Sequence, residues 1–153
     1  MNIYDFDTQI KASSKQFSSR IFLRCPNRLR DFTFKDIEIF KEKFNSYLIK
    51  KKISQNDKVC TIIDNSKLLI CLFLSVIGNN RVLVPINPSS GNKEIEYILT
   101  KTKPKLIIGD YFSINKIKKI KNFKKKIEKN EKKFINYIFH QEMKIFKPKK
   151  NIK

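Results

Sequence analysis

The stretch "KVCTIIDNSKLLICLFLSVIGNNRVLVPINPSSGNKEIEYILTKTKPKLIIGD" occupies residues 58–110. Three short runs rich in Val, Ile and Leu, at 58–64, 81–85 and 105–110, read as strands. Two helical stretches separate them. Residues 67–77 are apolar nearly all round, which predicts a helix buried on several sides. Asn65 or Ser66 can cap it. Gly78-Asn79-Asn80 stops it, because glycine and asparagine tolerate the left-handed conformation. Residues 92–101 form the second helix, with Ser89 and Ser90 placed to begin it after the prolines at 85 and 88 have ended the strand. Strands alternating with helices imply right-handed crossovers and a parallel sheet. The expected fold class is α/β: a partial doubly wound, mostly parallel sheet with flanking helices.

Upstream, residues 6–17 predict a helix with Phe6, Ile10 and Phe17 on one rough face. Residues 20–25 and 32–34 read as two short strands of a hairpin around the turn "PNRLRD". Thr33 and Asp36 have the spacing of a capping box, in which hydroxyl and carboxylate satisfy free amides reciprocally. Ile37, Phe40, Phe44, Tyr47 and Leu48 then make one apolar stripe of an amphipathic helix. Beyond residue 110 the lysine density predicts a solvated or frayed helix, with Ile117, Ile120 and Ile127 on one side, and then a disordered end. The expected organisation is therefore an α/β body at 1–110 and a lysine-rich tail at 111–153.

Composition excludes several chemistries. The chain has 153 residues and three glycines, Gly78, Gly91 and Gly109. They lie too far apart for any glycine-rich phosphate loop to be written. Cys25, Cys60 and Cys71 form no C-x-x-C pair, and His140 is the one histidine, so no zinc cluster has its ligand spacing. The odd cysteine count implies no oxidised framework, and a reducing cytoplasm is the expected setting. The opening "MNIYDFDTQIKASS" lacks a basic n-region followed by an apolar h-region, so no signal peptide is expected there. Its longest apolar run, residues 68–78, is too short to span a bilayer, which takes about 20 residues.

The net charge is +20 and the pI about 10.0. Such a balance suits nucleic acid or an anionic surface. However, 29 of the 34 basic residues are lysine, and arginine is the usual reader of bases. Abundant Lys, Asn and Ile also fit AT-rich coding. Both readings stand.

In series, these segments resemble the N-terminal part of the adenylate-forming (AMP-binding) enzymes: acyl-CoA synthetases, luciferases and nonribosomal adenylation domains. "FTFKDIEIFKEKFNSYL" resembles the early T-Y-x-E-L segment. Residues 53–99 resemble the G-D-x-V block followed by the L-K-A-G-x-x-x-x-P-x-x-P block. Thr33, Asp57, Val59, Asn65, Ser66, Pro85, Asn87 and Pro88 fall on matching positions. Asn56 and Asn80 stand where the family has glycine, and asparagine is the next-best left-handed residue.

The resemblance covers residues 6–110. It implies that the ATP loop, the magnesium carboxylate and the catalytic lysine of a complete enzyme lie downstream of this region. No catalytic, cofactor-binding or metal residue of the family therefore falls on this chain. ATP and Mg belong to the complete enzyme. The implied partners are the downstream ligase segment and, by analogy, an acidic carrier protein.

Other candidates read as structure. Cys60, on a strand, and Cys71, on an apolar helix, suit small core positions. Glu94 and Glu96 face different sides of a helix and make no acid–base pair. Asp64 and Ser66 lack a nearby histidine for a triad. Phe34, Phe40, Phe44, Tyr47, Phe73 and Tyr97 have core spacing rather than that of a base-stacking platform. An anion at the helix start after Pro88 is a weaker reading than scaffold, since no glycine there lets the backbone approach closely.

Overall fold

Thr33 begins the first long helix as its spacing predicts. Its hydroxyl accepts from Asp36 N–H at 3.2 Å, and Asp36 Oδ2 accepts from Thr33 N–H at 2.9 Å. The computed structural model describes residues 5–24, 31–64, 67–109 and 111–120. In chain order the elements are α1 (Phe6–Gln16), β1 (Ile21–Leu23), β2 (Phe32–Thr33), α2 (Phe34–Lys50), β3 (Lys58–Ile62), α3 (Lys67–Ile77), β4 (Val82–Pro85), α4 (Asn92–Thr102), β5 (Leu106–Gly109) and α5 (Tyr111–Lys118). Cys25, most of the "PNRLRD" turn, the caps at Asn65 and Ser66, Asp110, and the lysine-rich stretch from residue 121 with Ile127 and His140 lie outside the described residues.

β1 and β2 pair antiparallel. β3 is the centre of a parallel sheet of order β4-β3-β5. The chain thus leaves β3 in one direction and crosses back over it to reach β5. Right-handed crossovers in opposite directions put α3 and α4 on opposite faces. The core divides accordingly. Val59 and Ile108 pack with α2 and α3, whose stripe Ile37, Phe40, Phe44, Tyr47 and Leu48 is buried as its period predicts. Cys60 and Ile62 pack with Ile95 and Leu99 of α4 and with Ile114, Ile117 and Ile120.

That last group differs from the solvated helix expected after residue 110. Isoleucines at steps of three put one face of α5 against the sheet, and the lysines Lys116, Lys118 and Lys119 ride on the rest. A second difference concerns α3. Cys71, Leu72, Ser75 and Val76 are buried, but Ile70 is 40% and Phe73 45% exposed. Two layers, α2 and the sheet, cannot cover a helix that is apolar on every side.

At its other end α3 stops at Gly78, but the left-handed residue is Asn80, at φ 56°, and not the glycine. Gly78 is needed for space instead: a Cβ there would stand 2.7 Å from Leu74 O and 3.4 Å from the Lys41 stem. Asn56 is also left-handed, at φ 62°. Both asparagines therefore take the conformation that their matched glycines imply.

α1 is held by polar contacts more than by its apolar face. Phe6 is 36% exposed, whereas Ser14 is buried and its hydroxyl donates to Phe34 O at 3.0 Å. Lys41, buried in α2, pairs with Asp7 and reaches Glu38 at 3.4 Å. No helix among the described residues is long and apolar enough to cross a membrane.

Candidate functional site

Neighbouring strands whose connections go to opposite faces leave a crevice at their carboxyl ends, the usual ligand position in open α/β sheets. Here β3 leads to α3 on one face and β4 to α4 on the other. Between them opens a cleft of about 270 Å³, lined by Thr61, Ile63, Asp64 and Leu69 and by residues 85–88. The proline segment singled out in the sequence forms one wall.

This wall is tied internally. Ile86 is buried and its N–H donates to Thr61 O at 2.8 Å, extending the sheet by one bond. Asn87 Oδ1 accepts from Ser89 N–H at 2.9 Å, and Asn87 O accepts from Ser90 N–H at 3.0 Å. These bonds hold Ser89 and Ser90 in a turn. Helix α4 accordingly begins at Asn92, after Gly91, and not at the serines. Lys116 Nζ, from α5, donates to Pro88 O at 3.1 Å and to Ser90 O. A lysine of the basic stretch thus anchors the turn.

The amino ends of the strands are braced separately. Asp57 accepts from Ser54 N–H at 2.6 Å and from Lys105 Nζ at 2.9 Å. The Lys105 ammonium, with the Ser54 amide, holds its carboxyl below the usual range. Arg81, buried just before β4, donates to Ile53 O through Nε at 3.2 Å and Nη2 at 2.9 Å. Its Nη1 reaches Asn79 O at 2.8 Å and Asn45 Oδ1 at 3.0 Å. Sequence reading placed Arg81 only at a strand start. Two of its three partners, Ile53 and Asn45, are 28 and 36 residues away, so no local pattern marks the brace between them.

The remaining candidates do not assemble into a reactive site. Cys60 is fully buried and burial pushes its thiol up to about 12. It is protonated at neutral pH and unsuited to attack. Cys71 is buried as well. Glu94 is exposed on α4 and Glu96 is half-buried. Phe40, Phe44 and Tyr47 stack in the core, with successive centroids 6.2 and 6.1 Å apart. Tyr97, expected at a core position, is instead 63% exposed, because α4 turns only its Ile95 and Leu99 edge to the sheet. Among the described residues no group of three His, Cys, Asp or Glu side chains could hold a metal ion.

The family model described as AMP-binding enzyme matches residues 10–151. The chain belongs to the AMP-binding enzyme family. Its fold is that of the N-terminal domain of the adenylate-forming enzymes. It is similar to the Mycobacterium tuberculosis fatty acyl CoA synthetase, with TM-score 0.72 and 20% identity, over 78% of this chain and 24% of that one. It is also similar to NpsA-ThdA, an artificially fused adenylation-PCP di-domain from Klebsiella oxytoca. There the TM-score is 0.63 and the identity 21%, over 69% of this chain and 20% of that one. The AMP-binding segment thus spans a fifth to a quarter of these neighbours' length. No curated protein matches it significantly.

Proposed function

We propose that this chain is the N-terminal segment of an adenylate-forming ligase and does not catalyse alone. The complete activity would activate a carboxylate with ATP as an acyl-adenylate and pass the acyl group to a thiol. The observation that carries this reading is coverage: the segment aligns with only 20–24% of the neighbouring enzymes. Two features support it. No glycine-rich phosphate cradle can be written with three separated glycines. The braces at Asp57, Arg81 and Lys116 tie elements to one another rather than converging on a substrate. The segment's part is then architectural, presenting a sheet and its helices to the elements that hold ATP.

The test is ATP–pyrophosphate exchange with magnesium and a panel of carboxylates. The isolated chain is expected to show none, and addition of a relative's downstream segment is expected to start it. Exchange by the isolated chain would overturn the proposal.

A further inference from the structure

On the face of the sheet that α3 covers, β3 presents Val59, then Thr61, and the chain continues to Ile63. Their partners on that face are Leu83 and Leu106 beside Val59, and Pro85 and Ile108 beside Thr61. Thr61 is therefore a hydroxyl set into an apolar surface. It is 1% exposed, and its Oγ1 has no hydrogen-bond partner. A buried hydroxyl left unpaired forfeits its hydrogen bonds to water and gains none in return. A valine there would fill the same volume without that cost. The residue lines the cleft between β3 and β4.

The cleft is also lined by Asp64, exposed and in no ion pair among the described residues. It lies three positions after Thr61, so their Cα atoms are at most about 10 Å apart. The apolar residues lining the same cleft include Ile63, Leu69, Pro85 and Ile86. Asn87 Oδ1 is already taken by Ser89 N–H. Lys67, the basic residue nearest in sequence, has its Nζ 5.0 Å above the Phe32 ring. The cleft's lining thus combines an exposed carboxylate, apolar side chains and a buried, unsatisfied hydroxyl.

We propose that this cleft is a binding site for a small aliphatic primary amine. The ammonium pairs with Asp64, the alkyl body lies against Ile63, Leu69 and Pro85, and a polar atom at the ligand's far end engages Thr61 Oγ1. Carboxylates of the same size are repelled by Asp64. The inference is independent of whether the chain belongs to a split or truncated ligase.

The test is an NMR titration of the isotope-labelled full chain at neutral pH with 4-aminobutanol, and in parallel with butylamine, butanol and butyrate. The expected result is saturable shifts at Thr61, Ile63, Leu69 and Ile86 with aminobutanol, weaker binding of butylamine, and none of butyrate. Asp64→Asn should weaken aminobutanol about tenfold or more, the size of a charge-assisted contact. Thr61→Val should weaken aminobutanol about fivefold, leave butylamine unchanged and raise the denaturation midpoint, since it removes the orphaned hydroxyl. Binding of butyrate or butanol as tight as that of aminobutanol would overturn the proposal, as would insensitivity to Asp64→Asn or no saturable shift at the cleft. Because Thr61→Val is read both as stability and as affinity, loss of fold and loss of ligand are told apart.

Discussion

Lys116 Nζ on α5 donates to the Pro88 and Ser90 carbonyls of the turn between β4 and α4. One ammonium thereby joins the last described helix to the wall of the β3–β4 cleft. Hydrogen bonds to a charged group contribute more than neutral ones, and this lysine is half-buried. Lys116→Met keeps the aliphatic stem and removes both bonds. It should destabilise the fold by about 1–2 kcal/mol and speed amide exchange at Ser89 and Ser90. A denaturant melt with residue-resolved hydrogen exchange measures both. Unchanged exchange at the turn would mean that the bonds contribute nothing there.

Lys103 ends α4 in the left-handed conformation, at φ 49° and ψ 54°, with its N–H donating to Leu99 O. A side chain with a Cβ is strained there, and glycine is not. Lys103→Gly should therefore stabilise the chain, by about 0.5–1 kcal/mol. The same change at Lys101, inside the helix, should destabilise it by about 1 kcal/mol. Paired denaturant melts test the opposite signs. Equal effects at the two positions would refute the left-handed assignment.

Much of the fold was legible because its signals are local. The Thr33–Asp36 box and the α2 stripe need only a few turns of sequence. The strand–helix alternation from residue 58 needs only periodicity, and the matched asparagines at 56 and 80 needed only their known tolerance of positive φ. What escaped is non-local. Arg81, Lys41 and Lys116 read as three basic residues among 34, yet each is a brace with a partner at least 26 residues away. Phe73 and Tyr97 had core spacing but are exposed, because spacing gives a helix's apolar face and not what covers it. Thr61 read as an ordinary strand former. Its orphaned hydroxyl follows from neighbours on two other strands and could not be seen from its own.

Asp7 pairs with Lys11 at 2.6 Å and with the buried Lys41. Burial pushes its carboxyl up, but hydrogen bonds and charge from both lysines outweigh that and leave it below its ordinary 3.8. A carboxylate depressed in the folded state adds stability above its unfolded pKa. That contribution is lost as pH falls through the folded value. The docking of α1 on α2 should thus weaken below about pH 4. Asp7→Asn should lower stability at neutral pH and flatten the acid slope. Denaturant melts from neutral to strongly acidic pH compare the two chains, and an identical slope in both would exclude Asp7 as the source.

The uncovered face of α3 carries the last prediction. Ile70 and Phe73, one helical turn apart, are 40% and 45% exposed, and Val82 on β4 is 42% exposed. β4 and β5 are the outer strands of the described sheet, with backbone groups open on one side. Apolar surface beside open strand edges favours self-association. The opposing force is the net charge of +20, which acts over a Debye length of about 10 Å at 0.1 M salt but only about 3 Å at 1 M. The chain should therefore be monomeric at low salt and associate as salt rises, the reverse of a complex held by ion pairs. Phe73→Lys adds charge to the exposed face, and should shift the onset of association to higher salt. Sedimentation velocity across the salt series measures this. A monomer at every salt concentration, or association that salt dissolves, would show that neither the α3 face nor the sheet edges are sticky, and that the helix needs no further cover.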